Sequence, residues 1–273
     1  MAHKTLIGGI AYEIKGGRDL IGGTGYAKKK GRVLVNGTGY DISFSSGIPI
    51  STIPVGSVVK IGVNGKPYDF IVVNQGVPSN DSRYDSSCDG TWLLMKDIYE
   101  KRAWHSRNIN KYESSDIHTY LNNTFLNLFD SNIKNAIKQV KIPYRKNGGR
   151  DGTDQSGANG LSAKIFLLSG YEVGWTTSND QYFPQDGAKL SYFESGAGMS
   201  ANNKRIAKLN GSADLWGLRS PYTNRTDSVW YVYSNGNCND SSASFLYGIR
   251  PAFILPDNFP MIQNPDGTYT PAE

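Results

Sequence analysis

The chain has 273 residues, of which 38% are hydrophobic and 19% charged, with 31 glycines, 17 tyrosines and a formal charge of +5. Low charge with abundant Gly and Tyr points to a loop-rich, β-rich protein whose surface is neutral and polar. The densest basic run, Lys28-Lys29-Lys30 with Arg32, forms no stripe interleaved with aromatics, which argues against nucleic acid, and no run nears the roughly 18 apolar residues of a membrane span.

The first residues, MAHKTLIGGIAYEIKGG, lack the apolar core of a secretory signal, so the expectation is synthesis in the cytoplasm without a leader. A 14-residue repeat follows without gaps, Leu6 to Tyr12, Leu20 to Tyr26 and Leu34 to Tyr40. Each unit reads as a short apolar strand, a Gly turn and a second strand opened by Tyr. One unit cannot bury its face alone, and about 40 residues are too few for an independent core. Residues 1–46 are therefore expected to oligomerise, as a homotrimer, or to dock on a larger assembly.

Residues 47–273 are expected to form the main domain. Val59, Ile61 and Val63 alternate, Asn64-Gly65 is a hairpin turn, and Tyr68 to Val73 returns. Thr91 to Met95 reads as an apolar strand. Ser115 caps a helix carrying Ile117, Tyr120, Leu121, Phe125, Leu128 and Phe129 on one face; Ser131 caps a second with Ile133, Ala136, Ile137 and Val140, stopped by Pro143. Lys164 to Ser169, Val229 to Ser234 and Gly248 to Leu255 read as further strands. The fold class expected is α+β: antiparallel strands, a short helix pair and long loops. Two of those loops are long, as functional or disordered loops are: Lys146 to Gly160 has almost no apolar residue, and Gln185 to Asn203 is Gly- and Asn-rich, though less extreme.

Catalytic signatures are sparse. His3, His105 and His118 form no metal-ligand or triad pattern, and His118 reads as a satisfied histidine beside a helix stripe. Asn147, Asp151 and Asp154 could line a calcium loop, but their spacing does not fit an EF-hand. Cys88 and Cys238 form no CxxC motif, and either a disulfide or two free thiols fits. No cofactor and no metal is expected.

Four segments together, Trp104 to Leu126, Ala163 to Val173, Leu215 to Pro221 and Tyr247 to Leu255, resemble a domain of uncharacterised function found in phage tail proteins and prophages of Gram-positive gut bacteria. The resemblance covers about residues 57–255 and implies a C-type-lectin-like fold similar to that of the formylglycine-generating enzyme. Some members are target proteins of diversity-generating retroelements. Their variable frame resembles YVYSNG, NCNDSSASFLY and GIRPA here, and Tyr231 to Tyr247 contains no Lys, Glu, Gln, Met or Trp, as adenine mutagenesis of Asn codons requires. The resemblance implies a non-catalytic virion protein that binds a host cell-surface protein or glycan. Its expected surface comprises Tyr222, Asn224, Arg225, Asp227, Tyr233, Asn237, Asn239, Asp240, Ser241, Ser242, Ser244, Phe245 and Tyr247. Residues 1–46 would attach it to other virion proteins. Arg250, Trp216 and Arg219 are expected to serve the scaffold. The alternatives are a structural tail or capsid decoration protein, an oxidase like the formylglycine-generating enzyme, and a cell-wall hydrolase.

Overall fold

The computed structural model describes residues 47–272 in full and, before them, the backbone of six strands. Those six strands form three antiparallel hairpins, His3–Ile7 with Ile10–Ile14, Arg18–Ile21 with Thr24–Ala27, and Lys30–Val35 with Thr38–Ser43. Corresponding repeat positions take corresponding places, Tyr12 opposite Thr5, Tyr26 opposite Asp19 and Tyr40 opposite Val33. The side chains of residues 1–46, on which the expectation of an oligomerising repeat rests, lie outside the described residues. The chain divides into a unit Met1–Gly47 and a unit Ile48–Pro271.

Two sheets frame the second unit. The larger has seven strands in the order Ala252–Leu255, Thr91–Met95, Lys66–Gln75, Val58–Val63, Tyr269–Pro271, Pro260–Gln263 and Ile48–Pro49. Its centre is the expected hairpin: Asn64 and Gly65 both take positive φ, 51° and 70°, which a two-residue type I′ turn requires. The smaller has five strands in the order Lys101–Ala103, Leu246–Gly248, Trp216–Pro221, Ser228–Val232 and Cys238–Ser242. Thr91–Met95 and Ala252–Leu255 are buried throughout, so their apolar runs need no alternation.

The expected α+β, C-type-lectin-like frame is corrected by this structure: the domain is β-rich, and its helices are short additions. Ser115 does cap the helix Asp116–Asn123, accepting from the His118 amide at 3.1 Å, but the turn Phe125–Leu128 is a separate 3₁₀ segment. The second helix, Ser131–Ala136, starts after Asp130 rather than after a Ser131 cap. It ends well before Pro143, because Val140–Ile142 leaves it to pair with Leu161–Ala163. Helical spacing of apolar residues is met here by one face of a short helix followed by an extended run. Lys164 to Ser169 is buried and extended at Phe166, which exchanges bonds with Ala252 in a single bridge rather than a ladder. Gly248 to Leu255 is not one strand: it leaves the smaller sheet at Gly248 and enters the larger at Ala252, with Arg250 and Pro251 at the crossing.

Three arginines are buried in this unit. Arg250 donates to the carbonyls of Met95 and Lys96 at 3.1 and 2.9 Å and lies over the Trp216 ring at 4.4 Å; burial brings its pKa down to about 10. Arg205 donates to the Val173 and Glu194 carbonyls at 2.7 and 3.1 Å. Arg219 meets the carboxylate of Glu172 end-on through both terminal nitrogens, with both bonds 2.6 Å, and gives its other donors to the carbonyls of Pro143, Leu167 and Asp186. Burial works against that guanidinium charge, and Glu172 more than offsets it. These side chains tie irregular segments to the sheets through their carbonyls, which planar multi-donor arginines do well.

Candidate functional surface

The run Ser234 to Ser244 is small and polar for a local reason. It turns the hairpin between Ser228–Val232 and Cys238–Ser242, and the latter strand ends the five-stranded sheet. The Tyr233 amide donates to the Asn237 carbonyl at 2.6 Å, and the Gly236 amide to the Tyr233 carbonyl at 2.9 Å. Gly236 has φ +86°, and a Cβ there would fall 2.2 Å from the Asn202 carbonyl oxygen, so only glycine fits. Asn202 in turn donates to Asn237 Oδ1 at 2.8 Å. The bland run is an ordered edge strand pinned at both ends; at its far end Asn108 Oδ1 accepts from the Ser242 hydroxyl at 2.6 Å and from the Ser244 amide at 3.2 Å.

Four aromatic rings make a chain along one face: Phe245 to Tyr247 at 5.5 Å, Tyr247 to Tyr231 at 5.4 Å, and Tyr231 to Tyr233 at 6.4 Å between centroids. The inner two are buried and the outer two are not, with Tyr233 46% and Phe245 49% exposed. Gly217 lies opposite Tyr231 in the sheet, and a Cβ on it would come within 3.2 Å of Tyr247 Cβ, so the glycine lets Tyr247 lie across the strand. Tyr247 is thus the support of the surface rather than part of it, 1% exposed with its hydroxyl donating to the Ser242 carbonyl at 2.8 Å.

The thirteen expected residues do not form one patch. Register places Asn239 and Ser241 opposite Tyr231 and Val229, on the face of the aromatic chain. Asp240 and Ser242 lie opposite Trp230 and Ser228, on the other face, where Asp240 accepts from the Ser228 hydroxyl at 3.1 Å. Trp230 there stacks on Phe183 at 3.9 Å, Tyr222 packs against both Trp230 and Tyr182, and the Tyr182 carbonyl accepts from Trp230 Nε1. Asn224 and Arg225 are exposed, and Arg225 is paired with half-buried Asp227 at 2.9 Å, a bond that holds the Asp227 carboxyl below its usual range. Exposed Ser244 joins the Asn108 cluster, and Asn237 belongs to the turn.

The glycine loop Lys146 to Gly160 supports the Tyr222 to Asp227 segment. A Cβ on Gly149 would sit 1.9 Å from the Arg225 carbonyl oxygen, and Asn110 bridges the Gly149 amide to the Arg225 and Ser228 carbonyls. Asp154 is engaged by Arg145 and the Gln185 amide, and Asp151 by Arg150, so these carboxylates do not converge as cation ligands. Among the described residues no group of three His, Cys, Asp or Glu could hold a metal ion.

Leu246 was not among the expected residues, yet it is 56% exposed. A groove of about 420 Å³ runs beside it, lined also by Glu100, Lys101, Arg102, Ala103, Asp116 and Tyr120. Most of its charges are paired: Arg102 with Glu100 at 2.6 Å and Lys101 with Asp214, outside the groove, at 2.7 Å; the Tyr120 hydroxyl donates to Glu100 at 2.6 Å and Asp116 accepts from the Ser106 amide. Strand alternation between Phe245 and Tyr247 could have pointed to Leu246; nothing local could have pointed to the groove, whose walls come from residues over a hundred positions away.

The cysteines are unpaired. Burial pushes Cys88 up to about 12 and Cys238 well above the ordinary thiol range, so both remain protonated at neutral pH. His118, half-buried beside the Tyr112 ring, is brought down to about 4 by burial.

Residues 89–257 match the family described as a domain of unknown function, DUF6273, and the chain belongs to that family. The match takes in the whole five-stranded sheet but only two strands of the larger one. No curated protein and no solved structure matches the chain significantly.

Proposed function

We propose that this member of the DUF6273 family is a non-catalytic recognition protein, which binds a host cell-surface protein or glycan through the surface around Phe245. The observation that carries the reading is the exposure of Tyr233 and Phe245 at the two ends of a ring chain whose inner members, Tyr231 and Tyr247, are buried, with exposed Leu246 next to Phe245. Large apolar groups held rigidly at a surface lose little entropy on binding, and such anchors carry most interface energy. The pairing of Arg102 and Lys101 with carboxylates and the protonated thiols also favour binding over chemistry. Under this reading the protein is a phage virion component, attached to other virion proteins through residues 1–46. The edge strand would tolerate substitution because its side chains are mostly outside the core, whereas Gly236 in the turn would not.

The test uses the labelled full chain on Gram-positive bacterial cells and on glycans extracted from them. Wild type should bind saturably. Phe245→Asp, which sets a charge at the exposed end of the ring chain, should weaken binding by at least about tenfold. Equal binding by the two proteins would overturn the assignment of the surface.

A further inference from the structure

We propose that the carboxyl of Asp186 is a protonation-operated latch, tying the segment Tyr182 to Ala188 to the strand Trp216–Pro221 and so controlling how firmly Tyr182 and Phe183 are held behind Tyr222 and Trp230. Asp186 is completely buried. One oxygen accepts from the Ser220 hydroxyl at 2.7 Å, and that hydroxyl oxygen accepts from the Gly170 amide at 2.8 Å. The other oxygen, Oδ1, has no partner among the described residues.

Burial first, and then the carboxylates around it, favour its protonated form. Arg219 is the nearest cation, but Glu172 already takes both its terminal nitrogens, and of Asp186 only the main-chain carbonyl shares an Arg219 donor, at 2.8 Å. Asp154, paired with Arg145, adds a second negative neighbour through the adjoining Gln185 amide, at 3.0 Å. The Tyr84 hydroxyl, which donates to Glu172 at 3.0 Å and accepts from the Ala188 amide at 2.9 Å, is pushed far up by burial and stays neutral, as does Cys88. An ionised Asp186 would therefore be a second carboxylate beside an already neutralised pair. Burial raises its pKa to about 7, against the opposing pull of Arg219 and Ser220. Losing the proton puts a charge where it has a single hydrogen bond, and the least disruptive relief is for the segment to lift toward water.

The latch reaches the candidate surface by short steps. Gly187 packs so closely that a Cβ would lie 2.6 Å from Ser169 Oγ. Four residues before Asp186, the Tyr182 carbonyl accepts from the Thr223 amide at 3.0 Å and from Trp230 Nε1 at 3.2 Å. Phe183 lies flat on Trp230. Lifting the segment withdraws these contacts from the back of the Tyr222 to Asp227 loop.

Hydrogen exchange of the full chain, corrected for intrinsic rates, tests this at about pH 5.5 and about pH 8.5. The amides of residues 182–188 and 223 should open at least tenfold more readily at the higher pH in wild type, and the difference should vanish in Asp186→Asn. Infrared difference spectra of wild type supply a readout that needs no variant: a protonated buried carboxyl should be present at the lower pH and lost at the higher, with the same midpoint as the exchange. Absence of that carboxyl band, protection that does not change with pH, or a pH effect that persists in Asp186→Asn would each overturn the proposal.

Discussion

At the scale of single residues, the sharpest contrast is between Phe245 and Tyr247, two positions apart. Phe245 is half exposed and Tyr247 is buried. Phe245→Ala should cost under about 1 kcal/mol of stability, whereas Tyr247→Ala should cost about 3–5 kcal/mol, because it removes a buried ring supporting two others. Denaturant unfolding of the two variants checks the difference. Arg219→Leu should be more damaging than the exposed Phe245→Ala, costing about 3–5 kcal/mol, since it leaves Glu172 charged and buried without its counter-charge. Sequence marked Arg219 and Arg250 as scaffold residues, but Glu172, Asp186 and Arg205 were hidden. Their partners are carbonyls and side chains from distant segments, and no spacing along the chain reveals such a match.

Among the elements, those with local signals were legible. Asn-Gly between alternating runs located the hairpin, and Ser115 located a helix start. Ser115→Ala should lower stability by about 1 kcal/mol, read as a loss in denaturant midpoint, since the cap bond to the His118 amide would go. The helix pair misled because Phe125, Phe129 and Val140 are core residues of other elements that happen to continue a helical spacing. The stretch Ser234 to Ser244 looked like a loop because small polar residues suit both loops and polar sheet edges. The glycine loop Lys146 to Gly160 is likewise ordered by packing that composition does not show. Gly149→Ala should be strongly destabilising, with a lowered melting temperature and loosened Tyr222 to Asp227 amides in exchange experiments, because neither neighbouring carbonyl can retreat from a new Cβ.

For the whole molecule, two buried titrations oppose each other. Asp186, raised to about 7 from an ordinary 3.8, favours the folded state when protonated; its contribution is complete below the unfolded pKa and is lost as pH rises toward 7. His118, lowered to about 4 from 6.5, works the other way: folding keeps it neutral, so its contribution falls as pH drops from about 6.5 to 4. Between about pH 4 and 6.5 the two slopes nearly cancel, each at most about 1.4 kcal/mol per pH unit. Replacing Asp186 with Asn should leave stability rising with pH across that window, and His118→Gln should leave it falling. Urea unfolding at several pH values separates the cases. At the same scale the repeat of residues 1–46 is expected to set the assembly: sedimentation should show a trimer for the full chain and a monomer for a chain beginning at Ile48. Equal sizes would remove the repeat from that role.

On the proposed function, Tyr233 and Phe245 face a partner rather than a core. The most direct measurement is adsorption to host cells by the double variant Tyr233→Ala, Phe245→Ala, alongside its melting temperature. Both rings are about half exposed, so the variant should melt within a few degrees of wild type and lose adsorption by well over tenfold. A folded double variant that adsorbs as wild type does would contradict the account.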